Sequence, residues 1–332
     1  MERSMRKWAA ELIAAEKKNP IPVLSFPAVQ LMGISVKKII SDSELQARGM
    51  ALVAERVRSA ASVSLMDLSV EAECFGAEVR FSDEEVPTCI GAVVTDEDKA
   101  DALEIPAVGT GRTGIYIEAI RKACGMISDR PVLAGVIGPF SLAARLMGVS
   151  EAMYNCYDEP DMVHTVMKKT TAFLIDYCCA YKQAGANGVV MAEPVTGLLS
   201  GALAQEFSHT YVKEIIDAVQ DDRFAVIYHN CGGSVTSMAD DVFALGAMGY
   251  HFGNAIKMED VLPHAPAEVL VLGNIDPAEV LRNGTEDSVK AAVRTLKEKC
   301  RAWPNFILSS GCDVPPMTPW KNIDAFFAAA EE

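Results

Sequence analysis

Phe224-Ala225-Val226-Ile227-Tyr228-His229-Asn230-Cys231 is a short apolar run, rich in β-branched and aromatic residues, that ends in an imidazole and a thiol. Phe224–His229 reads as a buried strand. Side chains alternate along a strand, so His229 and Cys231 share one side of the extended chain. Phe306–Ser310 (FILSS) reads as a second buried strand, and Gly311-Cys312-Asp313 follows at its end. Both strands run into polar turns containing glycine, the first being Cys231-Gly232-Gly233-Ser234. Strand C-termini are where α/β enzymes keep their chemistry. One imidazole and two thiols gathered there would form a three-ligand zinc site with one position open, the arrangement of catalytic rather than structural zinc. The competing reading is plain packing, since unpaired cysteines are often buried for no other purpose.

Outward from these two runs, further apolar segments at Val23–Phe26, Ser62–Leu68, Val132–Ile137, Gly188–Ala192, Tyr250–Gly253 and Val269–Gly273 read as strands. With Ala225–His229 and Phe306–Ser309 they make eight. Helix-period segments lie between them, among them Ser141–Met147, Pro160–Ala184, Ala202–Val219, Val235–Leu245, Ser288–Ala302 and Trp320–Ala330. Strand–helix alternation implies parallel strands and right-handed crossovers. Eight such units in 332 residues predict an α/β fold, a (β/α)8 TIM barrel, with residues 1–332 as a single domain. The irregular, polar stretch Ala77–Ala107 is expected to be an insertion after the second strand that caps the barrel mouth. The start, MERSMRKWAAELIAAEKKNP, reads as an amphipathic N-terminal helical extension and not as a signal peptide. An open doubly wound sheet is the alternative, but no G-x-G-x-x-G follows the first strand.

Half of the residues are hydrophobic, enough for a sizeable core, and the net charge is −15. With no basic run, a nucleic-acid partner is not expected. No apolar run is long enough to span a membrane. The nine cysteines are odd in number and scattered, as in a cytoplasmic protein with free thiols.

Three further stretches carry a resemblance: Gly138-Pro139-Phe140, Gly273-Asn274-Ile275-Asp276-Pro277 and SSGCDVPPMTPWKNIDAF from Ser309. Through them the chain resembles the uroporphyrinogen decarboxylase superfamily over essentially its full length. The His-x-Cys…Cys set and Leu68-Ser69-Val70-Glu71-Ala72-Glu73 look like its corrinoid-dependent branch, the methylcobamide:coenzyme M methyltransferases. That resemblance implies a (β/α)8 barrel with zinc on His229, Cys231 and Cys312, a methylcobamide (corrinoid) as methyl donor, and a small thiol such as coenzyme M as acceptor. The decarboxylases use an arginine-rich N-terminal segment for their substrate carboxylates. The corresponding stretch here, FPAVQLMGISVKK, has no arginine, although arginine forks are what bind carboxylates through paired hydrogen bonds. No Asp-x-His-x-x-Gly signature of a cobalamin-binding domain occurs, so the corrinoid is expected on a separate protein or as a free cofactor. A metal-free decarboxylase, a non-catalytic role, and a different acceptor such as homocysteine or tetrahydrofolate remain open.

Several polar residues fall at the same strand ends. Glu193, in Ala192-Glu193-Pro194, is a candidate resting zinc ligand or proton acceptor, or else a helix cap. Asp67, Gly273, Asn274 and Asp276 are candidate cofactor-binding residues, with Asp276 also a helix cap before Pro277. Glu71 is read as a solvated rim charge, and Asp313 as bonding within its own turn. His251 is a candidate partner for a ligand histidine, or a core histidine, and Asn254 is a weaker candidate beside it. The Gly232-Gly233-Ser234 corner could hold an anion or simply relieve backbone strain. The other seven cysteines are assigned to packing.

Overall fold

A computed structural model describes residues 3–332. The first two residues of the expected N-terminal helix lie outside the described residues. Seven parallel strands form one curved sheet in the order β1 (Ser62–Val63), β4 (Val132–Ile137), β5 (Gly188–Ala192), β6 (Ala225–Asn230), β7 (Gly249–Phe252), β8 (Leu270–Ile275) and β9 (Phe306–Ser310). Between β1 and β4 the chain adds an antiparallel hairpin, β2 (Glu78–Arg80) and β3 (Thr88–Ile90). The strand expected at Val23–Phe26 is extended but forms no ladder. Pro20, Pro22 and Pro27 remove the backbone donors that a ladder needs. Single bonds take its place in the gap between β9 and β1. The Ile21 N–H donates to the Leu308 carbonyl (2.9 Å), the Ser309 hydroxyl to the Ile21 carbonyl (2.7 Å), and the Ser25 hydroxyl to the Val63 carbonyl. The fold is thus TIM-barrel-like, with its eighth stave held by single backbone and side-chain bonds in place of a ladder.

β1 is also shorter than the expected Ser62–Leu68. The Gly135 N–H goes to the Ser64 hydroxyl (2.8 Å), a side chain competing with the backbone for the ladder bond. The expected helix at Ala202–Val219 is broken by a π-turn at Gln205–His209, and that at Val235–Leu245 opens as a 3-10 turn over Gly233–Met238.

The N-terminal helix α1 (Met5–Ala14) closes one end of the barrel. Met5, Trp8, Ala9 and Leu12 recur at helical spacing and bury one face against Leu133, Val190, Ala225, Ile227, Leu270 and Ile307, the interior side chains of the strands. Its start is tied to the turn before β6: the Met5 N–H donates to the Asp222 carbonyl (2.6 Å) and the Ser4 hydroxyl to the Asp222 carboxylate (2.8 Å). The opposite end, where the strands finish, is the mouth. Residues Ala77–Ala107 lie over it. The Val36 N–H donates to the Asp83 carbonyl, the Val93 and Val94 N–H groups share the Leu146 carbonyl, and Arg282 pairs with Glu85 (3.2 Å). The expected irregular insertion therefore carries the β2–β3 hairpin and a helix at Glu97–Ala102. Among the described residues, no helix is long and apolar enough to cross a membrane.

Candidate metal centre

Alternation along β6 decides which way His229 points. Val226 and Tyr228 pack in the outer core, Ala225 and Ile227 in the barrel interior, so His229 falls on the interior side at the mouth. Cys231 follows two residues later. Backbone crowding fixes its place: a Cβ at Gly253, after β7, would lie 2.5 Å from the Cys231 Cα, so only glycine fits there. A Cβ at Gly311, after β9, would likewise sit 2.8 Å from the Asn254 nitrogen. These close approaches bring the Cys312 thiol to 3.6 Å from His229 Nε2. The three ligand atoms of His229, Cys231 and Cys312 all lie within 4.8 Å of one another, with His229 buried and both cysteines half-buried.

The hydrogen bonds around His229 select its tautomer. His251, paired with His229 across β6 and β7, places Nε2 2.8 Å from the Ser310 carbonyl, which can only accept, so that nitrogen carries the proton. Burial, and after it the neighbouring His229, holds His251 well below its ordinary pKa; it is therefore neutral and its Nδ1 accepts. His229 Nδ1 sits 2.6 Å from that nitrogen and 3.1 Å from the His251 carbonyl, so it is the donor. The His229 Nε2 lone pair is thereby left facing the two thiols, the state a metal-binding histidine needs. Ser309 ties the same chain of bonds to Ile21.

The thiols divide their protons unequally. The hydrogen bond from Cys312 lowers Cys231 to about 7, and the same bond, with burial, raises Cys312 to about 12. One proton leaves near neutrality; the second is retained until something more positive takes its place, which is how metal binding releases protons from thiol ligands.

Glu193 does not face this group, which corrects its reading as a resting ligand. It is fully buried and caps the helix α2 (Pro139–Met147). Its carboxylate accepts from the Phe140 N–H (2.7 Å), the Ser141 N–H (3.0 Å) and the hydroxyls of Ser141 and Thr196. The polar groups of the candidate cofactor residues are likewise taken up by the fold. Asp276 accepts from the Ala278 and Glu279 N–H groups at a helix start and from Asn254 (2.8 Å), and does not reach His229. Asn274 donates to the Gly253 and Ile256 carbonyls. Gly273 is a close approach, since a Cβ there would meet Met258 at 2.8 Å. Asp67 is wholly engaged: it pairs with Arg112 and accepts from Tyr116 (3.0 Å) and from the Ser69 N–H and hydroxyl. Arg112 and Tyr116 carry no signal of this role in the sequence. They lie one helical turn apart beyond the insertion, and nothing local to them points back to Asp67. Gly232, whose Cβ would strike the Gly197 backbone, is a packing glycine.

Glu71 is not the solvated charge expected. It is buried; the Ile137 N–H donates to one oxygen (3.0 Å), and the other has no partner. Burial, the largest cause, raises it from 4.5 to about 7. A carboxyl raised in this way contributes stability that is complete below its unfolded pKa and lost as pH climbs through the folded one. Glu71→Gln should therefore raise stability by about 3 kcal/mol at pH 8 and by little at pH 5. Thermal melts at the two pH values check this, and an equal shift at both would refute it. Asp313 is half-buried, with its Oδ1 buried and unpartnered, and desolvation, then Cys312, raises it well above its ordinary value.

Residues 22–332 match the family model described as "Uroporphyrinogen decarboxylase (URO-D)". The chain belongs to the uroporphyrinogen decarboxylase family. Among its relatives, a methylcobamide:CoM methyltransferase of Methanosarcina mazei is 27% identical over 80% of this chain and 77% of its own length. A uroporphyrinogen decarboxylase of Desulfotalea psychrophila is 25% identical over 78% of this chain and 76% of its own. Among solved structures, a methyltransferase from Methanosarcina mazei superposes with a TM-score of 0.86 over 99% of this chain and 98% of its own, at 22% identity, a likeness of fold.

Proposed function

We propose that this protein is a methyltransferase that moves a methyl group from a methylated corrinoid to a small thiol such as coenzyme M, with zinc held by His229, Cys231 and Cys312. The convergence of one imidazole and two thiols at a barrel mouth carries the reading, and the names of the methyltransferase relatives supply the two substrate classes. The donor set suits zinc: two sulfurs and a nitrogen whose lone pair is free, with Glu193 spent elsewhere, so that one position is left for a substrate. Bound there, zinc would keep the substrate thiol as a thiolate at neutral pH.

The chain's own residues set the conditions. Cys231 and Cys312 would release their protons to solvent on binding the metal and supply negative charge, which would keep a bound thiolate electron-rich. His251 holds His229 in the metal-binding tautomer. The sulfur forms a bond to the methyl carbon as the carbon–cobalt bond breaks, the electron pair staying on cobalt and the thiol proton passing to solvent. The corrinoid arrives on a separate protein, and residues 1–332 act as a single barrel domain. The nine unpaired cysteines fit work in a reducing, cytoplasmic compartment. A decarboxylase acting on a tetracarboxylate is disfavoured, because Phe26–Lys38 offers no arginine.

Elemental analysis of the purified protein, followed by methylcobalamin with coenzyme M while the cobalt spectrum is recorded, tests the proposal. Stoichiometric zinc with thiol-dependent demethylation is expected. Protein that takes up no zinc on reconstitution, or that leaves the corrinoid methylated, sinks it.

A further inference from the structure

At the end of the barrel away from the mouth, the seam between the unladdered stave and β9 opens into a cleft of about 560 Å³. Lys18, Asn19 and Pro20 line one side, and Pro304, Phe306 and Leu308 the other. Pro20 and Pro304 have no N–H to donate across the gap, so it stays open beside the single bond from Ile21 to Leu308. Small-molecule sites run to about 300–1,000 Å³ and combine apolar walls with a few placed polar groups.

Trp303 lines the same cleft, half-buried, and its indole N–H has no partner among the described residues. The turn that carries it is fixed: its backbone N–H donates to the Cys300 carbonyl (3.1 Å) and its carbonyl accepts from the Phe306 N–H (3.1 Å). The other two tryptophans are engaged elsewhere, Trp8 buried against the barrel floor and Trp320 donating its indole N–H to the Pro27 carbonyl (3.1 Å). Five cations, Lys17, Lys18, Arg58, Lys297 and Arg301, line the cleft against three carboxylates, Glu16, Glu331 and Glu332. That local excess stands on a chain of net charge −15, and Glu332 is already paired with Arg294 (2.5 Å). Carbonyls at helix ends hold two of the lysines in place, Ala15 for Lys18 (2.8 Å) and Ala330 for Lys297 (2.7 Å). A helix end carries about half a charge, so each ammonium keeps a positive remainder and at least one unused proton. Lys17 and Arg58 make no hydrogen bond or ion pair with a described residue.

We propose that this cleft binds a planar ring carrying a phosphate, the chemistry of a nucleoside phosphate. The ring stacks on Trp303, a contact any base can make. The phosphate meets Lys17, Lys18 and Arg58, whose ammonium and guanidinium donors suit its oxygens. The site lies at the opposite end of β9 from Cys312 and does not depend on the methyltransferase reading.

Calorimetric titrations of AMP, ATP, adenosine and tripolyphosphate into wild type, Lys17→Gln/Arg58→Gln and Trp303→Ala test this, with tryptophan emission recorded alongside. AMP and ATP should bind and quench the emission. Adenosine and tripolyphosphate should each bind at least about 10-fold more weakly, since each lacks one half of what the cleft recognises. The double variant K17Q/R58Q, altered only at exposed side chains, should weaken AMP by about 10- to 100-fold. W303A should weaken it by about 5- to 150-fold, the worth of one stacked base. No saturable binding of AMP or ATP up to about 1 mM overturns the proposal. So does an AMP affinity that K17Q/R58Q leaves unchanged, or tripolyphosphate binding as tightly as ATP, which would reduce the cleft to a charged patch. AMP binding that Cys312→Ala abolishes would place the nucleotide at the mouth and equally overturns it.

Discussion

Cys312→Ala and His229→Ala should each strip the protein of zinc and lower methyl transfer by more than about 100-fold, the upper end of what losing a residue that merely supports a ligand costs. Removing one of only three protein ligands leaves two, too few for a stable catalytic site. The fold should barely notice. Cys312 is in the turn after β9, half-buried, and its thiol meets the other candidate ligands rather than the apolar core. His229 is buried, but its ring faces the mouth and not the cluster that fills the barrel beneath it. A stability loss near 1 kcal/mol, the common size for a point change, is the expectation for C312A. Metal content by elemental analysis, circular dichroism and the rate of corrinoid demethylation are the three readings to compare. A C312A protein that keeps a full complement of zinc and the wild-type rate would remove the metal assignment altogether.

What could be read from the sequence follows the range of the interactions involved. β6 and β9 were legible because their signals are local: apolar runs bounded by glycine turns, with period-two spacing placing His229 and Cys231 on one side. Val23–Phe26 has the same composition but is bracketed by prolines, so it became an extended stave without a ladder. Glu193 sits at a strand end just as a ligand would. Only the fold reveals that the helix after the preceding strand, more than forty residues upstream in chain order, points its free N–H groups at it. The burial of Glu71 escapes the sequence for a similar reason. Its neighbours in sequence are polar and its neighbours in space are not, because β4 and the helix after it close over it. Asp67 was singled out, but the role expected for it depended on a free carboxylate, and its partners come from the far side of an insertion.

Those partners give the second large effect. Arg112→Met should cost about 3–5 kcal/mol, the penalty for leaving a buried carboxylate without its cation. The Asp67 side chain is wholly inaccessible and that of Arg112 is 8% exposed. Arg112 and Tyr116 stand one turn apart at the start of the helix Arg112–Met126 and reach the same Asp67 oxygen, so the pair ties that helix to the turn after β1. Removing the guanidinium also strips donors from Glu73 and Ser69. Asp67→Asn in the same chain should recover much of the loss, since two neutral groups of similar shape do not strand a charge. Urea titrations of the two single variants and the double variant then form a cycle whose coupling term should exceed about 1 kcal/mol. The candidate metal ligands His229, Cys231 and Cys312 form a separate cluster, so R112M should keep whatever metal the wild type binds while it loses stability. An R112M protein with the wild-type urea midpoint would mean that this buried pair contributes nothing to holding the helix, and that Asp67 and Arg112 are available to a ligand after all.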